Sequence, residues 1–278
     1  MLPRYLVREA VQRALAEDIG RGDITTDALI GGGARASARL MAREQGIVAG
    51  LDVAEAAFRG VEPDIVFERL IDDGQPVKAG DIIAWISGSA RALLSAERVA
   101  LNFMTHMSGI ASLTGRYVAA IAGTRARIVD TRKTLPGLRV FEKYAVRMGG
   151  GVNHRFALDD AAMIKDNHIV AAGGIGPAIR QVRAAIGHMV KICCEVDRID
   201  QIEEALGAGV DVLLLDNMGP ETLAEAVRVI AGRAIAEASG KVSLDTVAAI
   251  AASGVDVISV GRLTHSAPAL DIALDFDG

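Results

Sequence analysis

The sequence predicts an α/β protein in which a parallel barrel follows a smaller α+β module. Three observations carry that expectation. Hydrophobic residues make up 51% of the 278 and aromatics only 4%, so the core must be Ala, Val, Leu and Ile. Such a core suits buried parallel strands under covering helices better than an all-β sandwich. Beyond Gly123, short apolar runs alternate with helical periodicity to the end of the chain, the pattern of a parallel sheet. Finally, polar residues gather at the C-terminal end of nearly every run, which is where a barrel assembles its site; an open sheet concentrates ligands at one switch point.

In order along the chain, Pro3 to Glu17 reads as an amphipathic helix with Leu6, Ala10, Val11, Ala14 and Leu15 on one side. Asp18 to Thr26 reads as a loop. Alternation from Ala34 to Ala49 predicts a pair of strands, Val53 to Phe58 a short helix, and Ile65 to Ile71 another strand. Turns are expected at Asp73-Gly74 and Ala79-Gly80. A long helix covers Ala90 to Ala122, on which Arg98 shares a face with Leu94 and Leu101. That is an odd place for a charge, unless the arginine snorkels at the surface. Six strands follow, at Arg127–Asp130, Ala162–Lys165, Val190–Val196, Val212–Leu215, Ala234–Glu237 and Val257–Val260. Helices are expected near 138–148, 176–186, 199–208, 220–231 and 243–252. Six strands rather than eight imply an incomplete barrel. The division expected is 1–105, joined by 266–278, and 106–265.

The chemistry centres on Asp130 to His168. Arg132, Lys133, Arg139, Lys143, Arg147 and Arg155 stand there against Glu142, in a chain that has 35 acids to 30 Lys plus Arg. A local cationic excess in an acidic protein of net charge −5 points to a small, multiply anionic ligand, and away from nucleic acid or an anionic membrane. Lys143 and Arg147 read as a solvated helix face. Arg132-Lys133, His154-Arg155 and Lys165 sit at element ends and read as site residues. In the strand around Cys193-Cys194, alternation places Lys191, Cys193 and Glu195 on the barrel-facing side. Glu195 and Asp216 are the rim acids. They suit ribose hydroxyls or a magnesium ion held mainly through ligand phosphates, with a structural ion-pair network as the alternative. The Gly-bearing turns Ser239-Gly240 and Gly261-Arg262 follow the last two barrel strands, where backbone N–H groups often hold a phosphate. Two adjacent cysteines offer no disulfide framework and suit a reducing cytoplasm. The N-terminal stretch is neither a signal peptide nor a membrane span.

These residues resemble the quinolinate phosphoribosyltransferase family nearly end to end. The likeness rests on EDIGRGDITT (17–26), ERVALNFMTHMSGIA (97–111), DTRKTLPGLR (130–139), EKYAVRMGGGVNHR (142–155), IKDNHI (164–169), LLDNM (214–218), EASG (237–240) and SVGRLTHS (259–266). The resemblance implies an N-terminal α/β sandwich, an open α/β barrel, and a homodimer with sites between subunits. It also implies magnesium-assisted joining of quinolinate to phosphoribosyl pyrophosphate, giving nicotinate mononucleotide, carbon dioxide and pyrophosphate. By resemblance, Arg132, His154, Arg155 and Lys165 are quinolinate-site cations, Lys133 lies near phosphoribosyl pyrophosphate, and Arg98 reaches into a partner's site. Glu195 and Asp216 lie near ribose and metal, and Ser239, Gly240 and Gly261 form the phosphate turns. Among these, Lys133, Lys165, Glu195 and Asp216 are the expected catalytic residues. The sequence departs from the family pattern at Leu135, Phe156-Ala157, Cys193, Lys241 and Arg262. Two other readings of the residues stand beside this one: a Schiff-base lyase using Lys165, and a non-enzymatic anion-binding module.

Overall fold

The computed structural model describes residues 1–277, which divide into two compact units. Met1–Gly115, Pro136–Gly150 and the C-terminal segment from Ser266 form the first; Arg116–Leu135 and Gly151–His265 form the second. The chain begins with α1 (Arg4–Ile19), α2 (Ile24–Leu29), β1 (Arg35–Ala42), β2 (Gly46–Ile47), α3 (Leu51–Val61), β3 (Val66–Arg69), β4 (Pro76–Val77), β5 (Ile82–Ser89) and α4 (Ala90–Ala120). Then follow β6 (Arg127–Val129), α5 (Arg139–Met148), β7 (Ala162–Ile164), α6 (Asp166–Ala172), α7 (Ile175–Ala185), β8 (Ile192–Val196) and α8 (Asp200–Gly207). The remaining elements are β9 (Val212–Asp216), α9 (Pro220–Ile230), β10 (Ile235–Ser239), α10 (Val247–Ala252), β11 (Val257–Ser259), α11 (Arg262–His265) and β12 (Ile272–Phe276).

The first unit is built on an antiparallel sheet ordered β12-β1-β5-β3. Strand β1 buries every second residue, Ala38, Leu40 and Ala42, as a half-covered strand must. Helix α3 lays Phe58 against Phe67 of β3, ring centroids 6.2 Å apart. Small residues let α4 approach its neighbours closely: Ser108 Oγ accepts from Ala49 N–H at 2.9 Å, and a side chain at Gly109 would strike the Pro268 carbonyl.

Two expectations change in this unit. Asp18–Thr26 is not loop throughout, because Ile24–Leu29 is helical and capped by Asp23, whose Oδ1 accepts from Thr26 N–H at 3.0 Å. Six residues are too few to show a period, so only the cap could have announced that helix. Lys143 is not on a solvated face: it is fully buried, as is Glu142, whose Oε1 lies 3.0 Å from His106 Nε2. Polar identity alone could not show that α5 turns this side inward. Arg147 is exposed, its guanidinium 5.8 Å from the Tyr144 ring. The units also differ from the expected division, since residue 105 falls inside α4 and the segment carrying α5 belongs to the first unit.

The second unit is a parallel six-stranded sheet ordered β6-β11-β10-β9-β8-β7. Its strands are apolar on both faces through the middle, as Leu213, Leu214 and Leu215 show, and helices separate them in sequence. Beside β6, Val152 bridges in parallel to Val129. Laid flat, six strands would hold their outer members about 24 Å apart. Residues following β6 and β7, the two outermost, nevertheless line one cavity, so the sheet curls into an open barrel. No described helix is long and apolar enough to cross a membrane.

Candidate active site

The cavity lies wholly within the second unit, at the C-terminal ends of all six strands, with a volume of about 890 Å³. A buried carboxylate organises its first wall. Asp130, just past β6, accepts from the His154 backbone N–H at 2.9 Å and from Asn153 Nδ2 at 2.5 Å. Val152 N–H donates to Ile128 O at 2.9 Å on the same edge. Two segments some twenty residues apart in sequence are thereby fastened side by side, which brings Arg132-Lys133 next to His154-Arg155.

Local bonds then set each side chain. Arg155 donates through Nη1 to Ala161 O at 2.7 Å. Burial, and after it the charge of Arg132, hold the Arg155 guanidinium below its ordinary value. Arg132 Nε is buried without a hydrogen-bond partner. A guanidinium disfavoured by burial beside a second one with an orphan donor suits an anionic ligand. His154 Nδ1 accepts the Arg155 backbone N–H at 2.7 Å. The other ring nitrogen, Nε2, faces Glu237. That nitrogen lies 3.5 Å from Glu237 Oε1, itself buried and without a hydrogen-bond partner.

Across the cavity, Lys165 follows β7 and its Nζ lies 3.2 Å from Glu195 Oε2 near the end of β8. Its backbone N–H donates to His168 Nδ1 at 3.0 Å, which fixes the start of α6. Asp216 ends β9 and accepts from Asn217 Nδ2 at 2.6 Å. Ser239 and Gly240 end β10. Gly240 has φ of 98°, and a Cβ there would collide with the Asn217 side chain, so only glycine fits. Gly261 follows β11 between Lys133 and His265. The Lys133 loop is pinned when Thr264 Oγ1 donates to Lys133 O at 2.7 Å.

Every site residue expected from the sequence lines this cavity except Arg98. Arg98 is exposed on α4 in the first unit, and makes no hydrogen bond or ion pair with a described residue. Glu195 faces the cavity as alternation predicted, and Cys193 is buried behind it. Burial first, then Glu237, pushes the Cys193 thiol far above the usual range, which leaves it an inert packing group. Glu237, Lys241, Arg262 and His265, none of them among the expected site residues although Arg262 stood in an expected phosphate turn, also line the cavity. Glu237 was findable, because period-two alternation puts it on the face of β10 that carries Ser239. No described trio of His, Cys, Asp or Glu is placed to hold a metal by itself.

A barrel rim that gathers six Lys and Arg side chains (Arg132, Lys133, Arg155, Lys165, Lys241, Arg262) and three carboxylates (Glu195, Asp216, Glu237) defines an enzyme class acting on small polyanions. Comparison with known proteins narrows this. The family description "Quinolinate phosphoribosyl transferase, C-terminal domain" matches residues 110–275, and its N-terminal domain matches 23–108. A probable carboxylating nicotinate-nucleotide pyrophosphorylase of Synechocystis is 45% identical, over 98% of this chain and 94% of its own. The carboxylating nicotinate-nucleotide pyrophosphorylase of Mycobacterium leprae is 44% identical, over 96% of both chains. The crystal structure of NadC from Streptococcus pyogenes superposes with a TM-score of 0.96 at 42% identity, covering 100% of this chain and 99% of that one. The chain belongs to the quinolinate phosphoribosyltransferase family.

Proposed function

We propose that the chain is a carboxylating nicotinate-nucleotide pyrophosphorylase acting in de novo NAD biosynthesis. It joins quinolinate to phosphoribosyl pyrophosphate, with release of pyrophosphate and carbon dioxide. The observation that carries the reading is the cavity itself, whose cations match a dicarboxylate and a polyphosphate bound together, in a chain whose relatives carry that name over nearly their full length.

Arg132 and Arg155 grip the quinolinate carboxylates, since a guanidinium can hold a carboxylate through two parallel N–H groups. His154, held by the Arg155 N–H, places its Nε2 beside Glu237 on the cavity wall. Lys165, steadied by Glu195, faces the same cavity. The ring nitrogen forms its bond to the ribose anomeric carbon as the bond to pyrophosphate breaks. Lys133 and Lys165 stabilise the negative charge that develops on the departing group. The bond to the 2-carboxylate then breaks, its electron pair stays on C2 beside the cationic nitrogen, and C2 takes up a proton.

Glu195 and Asp216, at the ends of paired strands, fit a magnesium ion that brings most of its ligands with the substrate. When bound, such an ion neutralises phosphate charge and strengthens pyrophosphate as a leaving group. The Schiff-base alternative gains no support, because Lys165 is half exposed and ion-paired rather than set in the apolar pocket that activates an amine. The two free cysteines, both buried, accord with a cytoplasmic enzyme.

The test is incubation with quinolinate, phosphoribosyl pyrophosphate and magnesium, followed by chromatography for nicotinate mononucleotide; no product overturns the assignment. The exposed and unpartnered Arg98 supports a homodimer in which it completes a partner's site. Arg98→Ala and Lys165→Ala, each inactive alone, then regain up to half the activity of one dimer when their subunits exchange. Inactive heterodimers, verified as such, refute the shared site.

A further inference from the structure

Among the described residues, three buried side-chain polar atoms have no hydrogen-bond partner. Two of them, Arg132 Nε and Glu237 Oε1, belong to residues that line the cavity. An anionic ligand explains the arginine. It does not explain the glutamate, because a carboxylate only accepts hydrogen bonds and its charge opposes the polyanion that the surrounding cations attract. In register, Glu237 pairs with Leu214 and Leu214 with Glu195, so the three share one row across β10, β9 and β8. All three line the cavity. Asp216 and Ser239 pair two residues further on, about 7 Å along the strands toward the rim. Glu195 is partly exposed and ion-paired with Lys165, whereas Glu237 is only 4% exposed. It is the deep acid of the cavity.

Glu237 faces His154. Its Oε1 lies 3.5 Å from the ring Nε2, just beyond hydrogen-bond reach. Elsewhere His154 is held: its backbone N–H donates to Asp130 Oδ1 at 2.9 Å, and its Nδ1 accepts the Arg155 N–H at 2.7 Å. A shift of about half an ångström joins ring and carboxylate, and contacts of this length in a binding site commonly tighten when a ligand fills it. Resting on the functional reading above, we infer that Glu237 is a positioning residue. It receives the His154 ring when quinolinate binds, and holds that ring against the pyridine dicarboxylate. It acts through His154 and does not touch the ligand. Quinolinate, with two carboxylates and a ring nitrogen, has no donor to offer Oε1. The ribose hydroxyls do, so the phosphoribosyl substrate serves as the control.

Titration calorimetry with quinolinate and with inorganic pyrophosphate tests this on Glu237→Gln, His154→Ala and the double variant, alongside KM for both substrates. Glu237→Gln keeps the side-chain volume but removes the carboxylate, and should weaken quinolinate about tenfold. His154→Ala should weaken it at least as much. The double variant should then bind within about twofold of His154→Ala, because the two losses are one interaction. Pyrophosphate affinity and KM for phosphoribosyl pyrophosphate should stay within about twofold of wild type, and Glu237→Gln should melt within about 4 °C of it. Wild-type quinolinate affinity in Glu237→Gln overturns the inference. So do losses that multiply in the double variant, which place Glu237 on the ligand itself. A rise in KM confined to phosphoribosyl pyrophosphate overturns it too, as does an equal loss for both ligands with a lowered melting temperature. If quinolinate binding couples to both residues yet the wild type forms no nicotinate mononucleotide, the functional reading fails and the positioning role stands.

Discussion

Arg155→Ala is the most direct probe of the quinolinate end of the cavity. In the free protein this guanidinium donates to Ala161 O at 2.7 Å, while burial and the charge of Arg132 work against its ionised form. Removing it costs the fold one hydrogen bond, about 1 kcal/mol or somewhat more, and relieves a like-charge contact of the opposite sign. The two nearly offset, so the melting temperature should move by no more than about 2–4 °C. In the complex nothing offsets the loss. A charge-assisted contact of about 1.5–3 kcal/mol disappears, and quinolinate affinity falls about 10- to 150-fold. Arg155→Lys should land between, since the charge survives and the planar fork does not. Equilibrium binding of quinolinate, with KM for both substrates and a thermal melt, reads all three quantities. Wild-type quinolinate affinity in a normally melting Arg155→Ala protein refutes the assignment. An equal rise in KM for phosphoribosyl pyrophosphate shows that Arg155 serves phosphate.

Three further outcomes follow from the geometry. Nicotinate lacks the 2-carboxylate and leaves the Arg132 and Arg155 guanidiniums facing each other without their anion, so its kcat/KM should be about 10⁴-fold lower than that of quinolinate; comparable turnover contradicts the pocket. Gly109→Ala, a change that in an open helix stabilises by up to about 1 kcal/mol, should instead destabilise by about 1–3 kcal/mol because the new methyl meets the Pro268 carbonyl. A higher melting temperature would show that the C-terminal segment gives way freely. Burial pushes the Cys194 thiol up to about 11 and Cys193 higher still, so at pH 8 only about a thousandth of Cys194 is thiolate. Alkylation of the folded protein should be slow, and unfolding should release two reactive thiols; rapid labelling of the native state would contradict their burial.

Barrel strands and helices were legible because parallel strands are short apolar runs bounded by helices, and the strand ends fell within one or two residues of expectation. The site was legible for the same reason, since strand ends concentrate its polar groups. What escaped detection depended on partners distant in sequence. Glu142 and Lys143 look like surface charges until α5 is seen to bury them. The left-handed φ of Lys241 is invisible in a string of letters. Arg98 caught attention by its apolar neighbours, yet among the described residues it makes no hydrogen bond or ion pair.

Strand order has a consequence for how the chain is made. In the second unit β6 pairs with β11, matching Val129 to Ser259; in the first, β1 pairs with β12, matching Leu40 to Leu274. Each sheet thus has an early strand whose neighbour is the last strand of that sheet to be made. Neither sheet can be completed before its last strand is made, β11 in the second unit and β12 in the first, so the loop-closure entropy of both pairings falls due late. Until then β1 and β6 each lack a neighbour and expose backbone groups able to pair with other chains, which makes the nascent protein a natural client for holding chaperones. Deleting the last dozen residues should therefore damage the fold far more than their small share of the mass suggests, although none of them lines the cavity.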